Sequence, residues 1–230
     1  PSLIASRGEA AIEKTFNRPQ WVWGFVVLIV LIGVITLTMQ SSKRGEEEAA
    51  WSLEAEASKF HHEPAPLPKP IEEGEEDAAP LEIMDQTARL KKAAEIYEEI
   101  LSKYPKSTAA KVALFESGNV YTLLSMDDKA YEQYVSLIEK YPDSLSLSVL
   151  SHLRLAYLEQ KKGNQSAAID RFRMIYEMPE STSKDQAGFE LARALEVNGK
   201  ADEAKTLYQK LSEDYAKTPW GVEAKARFLL

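Results

Sequence analysis

The chain has 230 residues, a net charge of −8 and a pI near 5.1, which leaves room for one membrane anchor and one domain of ordinary size. The acidic balance excludes a nucleic-acid binder, which needs a basic stripe. The lack of cysteine excludes disulfides, thiol catalysis and thiolate metal sites together, and three histidines, His61, His62 and His152, are thin material for proton transfer.

Residues 1–20 form a short polar tail, mildly basic through Arg7, Lys14 and Arg18 and offset by Glu9 and Glu13. Trp21–Met39 then carries no charge, and Thr36 and Thr38 are its only hydroxyls. At ~1.5 Å per residue this helix spans roughly 28 Å, close to the hydrocarbon thickness of a bilayer. Trp21 and Trp23 sit where amphipathic rings prefer the headgroup layer, Met39 closes the apolar run, and Lys43 with Arg44 follows as a charged stop. A buried core helix rarely runs so far without a polar face, and a cleaved signal would have a shorter apolar region. A retained single-pass transmembrane helix is the expectation. Basic residues flank it almost equally, and long domains translocate regardless of charge, so the tail is placed inside and the acidic C-terminal portion outside.

Residues 40–61 are read as a membrane-proximal amphipathic helix, with Ala50, Leu53, Ala57 and Phe60 on one apolar stripe and Trp51 off it. Residues 62–80 hold Pro64, Pro66, Pro68, Pro70 and Pro80 and the acids Glu72, Glu73, Glu75, Glu76 and Asp77. Such a stretch cannot bury a core and reads as a linker or loop. A polyproline ligand or a metal site at His61-His62-Glu63 are the sharper alternatives, and adjacent histidines are expected to point different ways.

From residue 81 to residue 230 the chain is helical and repetitive. Ala93, Tyr97, Ile100 and Pro105 return as Ala130, Tyr134, Leu137 and Pro142, then as Ala168, Phe172 and Ile175, then as Ala204, Tyr208 and Leu211, at intervals of 36 to 38 residues. A partner helix precedes the last three copies, with Gly118, Ala156 and Ala192 at one repeat position and Ser125, Gly163 and Gly199 seven residues later. Small residues at the first position let two helices approach, and glycine at the second supplies the turn. Helix pairs of this kind each leave a face uncovered until a neighbour stacks on it. The expected fold is all-α, seven repeat helices plus a cap begun by Thr218-Pro219, with no strand. Helix 46–61 is the candidate partner for helix 82–103, which has no other helix directly before it.

This period and residue pattern resembles the tetratricopeptide repeat (TPR), whose ideal length is about 34 residues. The resemblance implies a right-handed α-superhelix. The breakers Tyr-Pro-Lys-Ser (104 to 107) and Tyr-Pro-Asp-Ser (141 to 144), LRLAYLEQKKGNQSAAI (153 to 169) and AKARFLL (224 to 230), behind a single anchor, are similar to the ancillary SecYEG translocon subunit family. That similarity implies a bacterial inner-membrane protein with a periplasmic repeat domain that works with translocated proteins or their chaperones.

In such superhelices the first helix of each pair lines a concave groove, and the resemblance turns its fifth and ninth positions inward. Here these are Phe115, Leu153 and Phe189, and Asn119, Tyr157 and Arg193. An apolar row beside a polar row suits an extended peptide or a helix, not an ion or metabolite. The alternative is that Leu153 and Phe189 pack between neighbouring pairs. No lysine stands at the fifth position, where TPR grooves that grip a terminal carboxylate carry one.

No nucleophile lies near a base, and no phosphate loop or ligand-spaced carboxylate set is present in the sequence. The expectation is therefore a non-enzymatic adaptor without cofactor or metal, whose partners are proteins and the lipid bilayer, with no nucleic acid and no small-molecule substrate. The rival expectation is an accessory subunit of a larger inner-membrane complex, in which the repeats are a structural brace.

Overall fold

The computed structural model describes residues 19–62 and 85–229, with side chains described from Gly24 onward. The tail before Pro19, residues 63–84, which take in the proline and acid segment from residue 63 and the first residues of the repeat region, and the side chains of Trp21 and Trp23 lie outside the described residues. The chain divides into two compact units, Pro1–Ala49 and Ala50–Leu230. Among the described residues every element is helical.

Helix α1 runs Pro19–His62, so the anchor and the membrane-proximal segment are one helix. Between them the only breaker is Gly45, which costs about 1 kcal/mol inside a helix and is insufficient to end one. In the first unit α1 is long and apolar enough to cross a membrane, and its apolar side chains stay uncovered, from Val26 at 44% exposure to Leu37 at 68%. The two hydroxyls of its apolar run are satisfied by the helix itself. Thr36 Oγ1 donates to the Gly33 carbonyl at 2.9 Å, and Thr38 Oγ1 to the Val34 and Ile35 carbonyls at 3.0 and 2.9 Å, which suits a surface bathed in hydrocarbon.

The second unit begins with residues 50–62 of α1. It continues through α2 (Gln86–Lys103), α3 (Thr108–Leu123), α4 (Asp127–Lys140), α5 (Leu145–Lys161), α6 (Gln165–Glu177), α7 (Lys184–Val197), α8 (Ala201–Asp214) and α9 (Pro219–Phe228). Seven helices and a terminal cap thus follow residue 85, as the period predicts. Their starts are written locally. Asp85 and Ser107 accept the amides of Ala88 and Ala110 at 2.6 and 3.1 Å, and Thr218 accepts that of Gly221 at 3.1 Å ahead of Pro219 in the first turn. The turns inside the pairs α3–α4, α5–α6 and α7–α8 place Ser125, Gly163 and Gly199 at φ of 58°, 84° and 78°, the left-handed conformation that the sequence position requires.

The repeated small, aromatic and aliphatic residues form the interior. Ala93, Tyr97, Ile100, Ala130, Tyr134, Leu137, Ala168, Phe172, Ile175, Ala204, Tyr208 and Leu211 are all at most 3% exposed. They fall in two clusters, one from α1 to α5 and one from α5 to α9. The end of α1 takes the place expected for it beside α2. Ala50 and Ala57 are fully buried, Leu53 and Phe60 pack against the same cluster, and Arg89 donates from Nη2 to the Lys59 carbonyl at 2.7 Å. The Arg89 guanidinium also lies over the Phe60 ring at 5.8 Å, so one cation meets both the negative end of a helix and an aromatic face.

Candidate functional site

The helices that open each pair, α3, α5 and α7, carry the two rows that the repeat arithmetic singles out. The structure separates them by depth. Phe115, Leu153 and Phe189 are 8%, 3% and 4% exposed and belong to the two cores. Phe115 faces Tyr134 at 5.9 Å between ring centroids, and Phe189 faces Tyr208 at 5.6 Å and Trp220 at 5.4 Å. At Phe115 and Phe189 the fifth position therefore meets the aromatic residue of the second helix in its own pair, whereas the packing alternative placed Leu153 and Phe189 between neighbouring pairs.

The ninth position lies nearer the surface. Asn119 accepts the Tyr134 hydroxyl at 2.8 Å and donates to Glu116 at 3.2 Å. Tyr157 donates to Glu190 Oε1 at 3.1 Å and accepts from Gln186 at 3.3 Å. Arg193, exposed, pairs with Glu190 Oε2 at 3.2 Å. Gln186, Tyr157, Glu190 and Arg193 thus form one polar network that joins α5 to α7. Burial raises the Tyr134 phenol to about 12 and also raises that of Tyr157, so both remain protonated donors at neutral pH.

Sequence reasoning missed the row just beside these. Counted in the same register, the sixth position holds Glu116, Arg154 and Glu190, a negative, positive, negative series. Glu190 keeps only 5% of its side chain exposed, and Glu116 keeps 19%. Burial alone would raise the Glu116 carboxyl, but polar contacts with His61 and Asn119 and the charges of His61 and His62 outweigh it and hold the group below the ordinary range. The signal that could have found this row is the same repeat count, moved by one residue.

The expectation that the two adjacent histidines point different ways is not met. The rings of His61 and His62 stack at 3.9 Å with 30° between their planes, because His62 is the last residue of α1 and both rings turn toward Glu116 on α3. His152 is half-buried, and burial together with the charge of Arg171 lowers its pKa to about 4. The neutral ring lies 3.3 Å from Arg171 Nη1 through its Nδ1, a structural contact.

The exposed turns are tied across neighbouring pairs by Lys161 to Asp127 and Lys162 to Asp128, each at 2.7 Å. The acids lie in the first turn of α4, where they also favour its helix dipole.

The Tetratricopeptide repeat family model matches residues 82–107, 112–144 and 186–218. The pair α5–α6 is not matched, yet it carries the same buried Ala168, Phe172 and Ile175. Two crystal structures of nearly identical TPR-like repeats from Podosopora anserina, described as of kinesin-light-chain type, are similar in fold. Each shares 20% identity over 62% of this chain and 77% of that chain, with TM-scores of 0.49 and, for a single-substitution form of the same repeats, 0.50. No curated protein matches the sequence. The helix pairs, their buried repeat residues and the family match agree: residues 82–107, 112–144 and 186–218 carry tetratricopeptide repeats.

Proposed function

We propose that the chain is a non-enzymatic, single-pass adaptor anchored in the bacterial inner membrane, with residues 1–20 in the cytoplasm and the repeats in the periplasm. It holds periplasmic proteins, or subunits of a membrane complex such as the secretion translocon, beside the bilayer. The observation that carries this reading is the layered face of α3, α5 and α7, where Asn119, Tyr157 and Arg193 stand over a buried apolar row. A polar network held by its own hydrogen bonds offers a segment of partner chain fixed donors and acceptors, and preorganisation of this kind lowers the cost of binding. The uncovered apolar stretch of α1 supports the anchor. The translocon link and the periplasmic orientation rest on the sequence resemblance.

A second reading has its own support. The burial of Phe115, Leu153 and Phe189 removes the apolar anchors that dominate binding in most grooves, which favours a structural brace within a fixed complex. Capture on the full chain in mild detergent distinguishes the two. The adaptor retains many substoichiometric periplasmic proteins, and Tyr157→Ala or Arg193→Glu reduces their recovery several-fold. A brace retains one stoichiometric set of subunits, unchanged by either substitution.

A further inference from the structure

His61 and His62 close helix α1, and Glu116 lies more than fifty residues on, in the middle of α3. His61 Nδ1 is 3.4 Å and His62 Nε2 3.6 Å from the same oxygen, Glu116 Oε2. The three donor atoms lie within 4.8 Å of one another. The His61 side chain is only 6% exposed, and its Nδ1, apart from the 3.4 Å polar contact with Glu116, makes no well-formed hydrogen bond. Burying a ring nitrogen with its lone pair or proton unused is costly, and such atoms in native proteins usually have a partner.

The two distances to Glu116 Oε2 are also those between ligands of one metal ion. A tetrahedral zinc ion with bonds of ~2.0–2.1 Å separates neighbouring ligand atoms by roughly 3.3 Å. The two measured separations match that spacing, and both are longer than a good hydrogen bond. We propose that His61, His62 and Glu116 are the protein ligands of a divalent transition-metal ion, zinc foremost. Two imidazoles with one carboxylate select such ions over calcium and magnesium, which take oxygen ligands. Asn119 Nδ2 donates to Glu116 Oε2 at 3.2 Å and orients the carboxylate, as supporting groups around metal ligands do. The histidines also line a cavity of about 320 Å³ with Asn119, Thr122, Leu123 and Arg154, so water can complete the coordination. Arg154 brings a positive charge to this wall, so the affinity rests on direct coordination by the two imidazoles and the Glu116 carboxylate.

Such an ion links the last turn of α1 to α3 and fastens the first helix of the repeat unit onto the second pair. The site shares Asn119 with the ninth-position row, but this fastening role does not require a partner bound there.

The test uses the full, tag-free chain in detergent micelles, stripped with a chelator and titrated with ZnCl₂ and, for spectroscopy, CoCl₂. One equivalent of zinc should bind per chain and raise the thermal midpoint, and cobalt should give the visible absorption of a four- or five-coordinate site. His61→Gln and Glu116→Gln should each weaken zinc binding at least tenfold. His62→Gln should do the same, and because the His62 side chain is 56% exposed that variant keeps its fold and decides the matter even where the other two are destabilised. Absence of stoichiometric binding, or stoichiometric binding that His62→Gln leaves unchanged, overturns the assignment.

Discussion

The ring of Tyr134 lies against the backbone of Gly118, so closely that a Cβ at position 118 would stand 2.6 Å from Tyr134 Cε1 and 2.7 Å from Cζ. Tyr134 is fully buried and its hydroxyl is held by Asn119, so the ring has little freedom to yield. Gly118→Ala should therefore destabilise the repeat unit by about 1–2 kcal/mol, although alanine is the better helix former by about 1 kcal/mol. Denaturant unfolding of the two proteins checks this, and a variant as stable as the parent would mean that the ring moves.

Ser125 occupies a left-handed turn that glycine fills at Gly163 and Gly199. A side chain in that conformation costs roughly 1–2 kcal/mol, partly offset by the extra freedom that glycine has when unfolded. Ser125→Gly should stabilise the unit by about 0.5–1 kcal/mol and raise the melting temperature by a few degrees.

Leu153 distinguishes core from contact surface. At 3% exposure within the α5–α9 cluster, Leu153→Ala should cost about 2–5 kcal/mol of stability while partner affinity stays near the parent value. Isothermal titration with a captured partner, run below the lowered melting temperature, gives the second quantity. A loss of affinity in a variant of unchanged stability would return Leu153 to the contact surface.

His152 makes stability depend on pH. Its folded pKa of about 4 lies below the ordinary value of ~6.5, so the unfolded chain binds the extra proton between these limits and the folded chain does not. Stability is therefore full above about pH 6.5 and falls as the pH drops toward 4. The full gap corresponds to about 3 kcal/mol, and the partial exposure of the ring reduces the expected loss to about 1–2 kcal/mol. His152→Gln should flatten this part of the pH–stability curve, and an unchanged slope would assign it to other groups.

The proposed topology has a direct measurement. Protease added to spheroplasts should degrade the repeats while leaving residues 1–20 protected. Repeats that survive until the membrane is lysed would reverse the orientation and remove the secretion-linked function with it.

What the sequence determined by itself is what repeats locally. The spacing of Ala130, Tyr134 and Leu137 and their copies, the cap at Thr218 and the turn glycines each depend on near neighbours in the chain, so their pattern is readable from the sequence. The uncharged run of α1 is legible for the same reason. Tertiary structure decided depth and long-range company. The fifth and ninth positions of one helix differ in the sequence only by residue type, and the aromatic rings of Tyr134 and Tyr208 bury Phe115 and Phe189 while leaving Arg193 in water. The meeting of His61 and His62 with Glu116 depends on how the end of α1 docks across α2 onto α3, a contact between segments too distant in the chain for any local pattern to record.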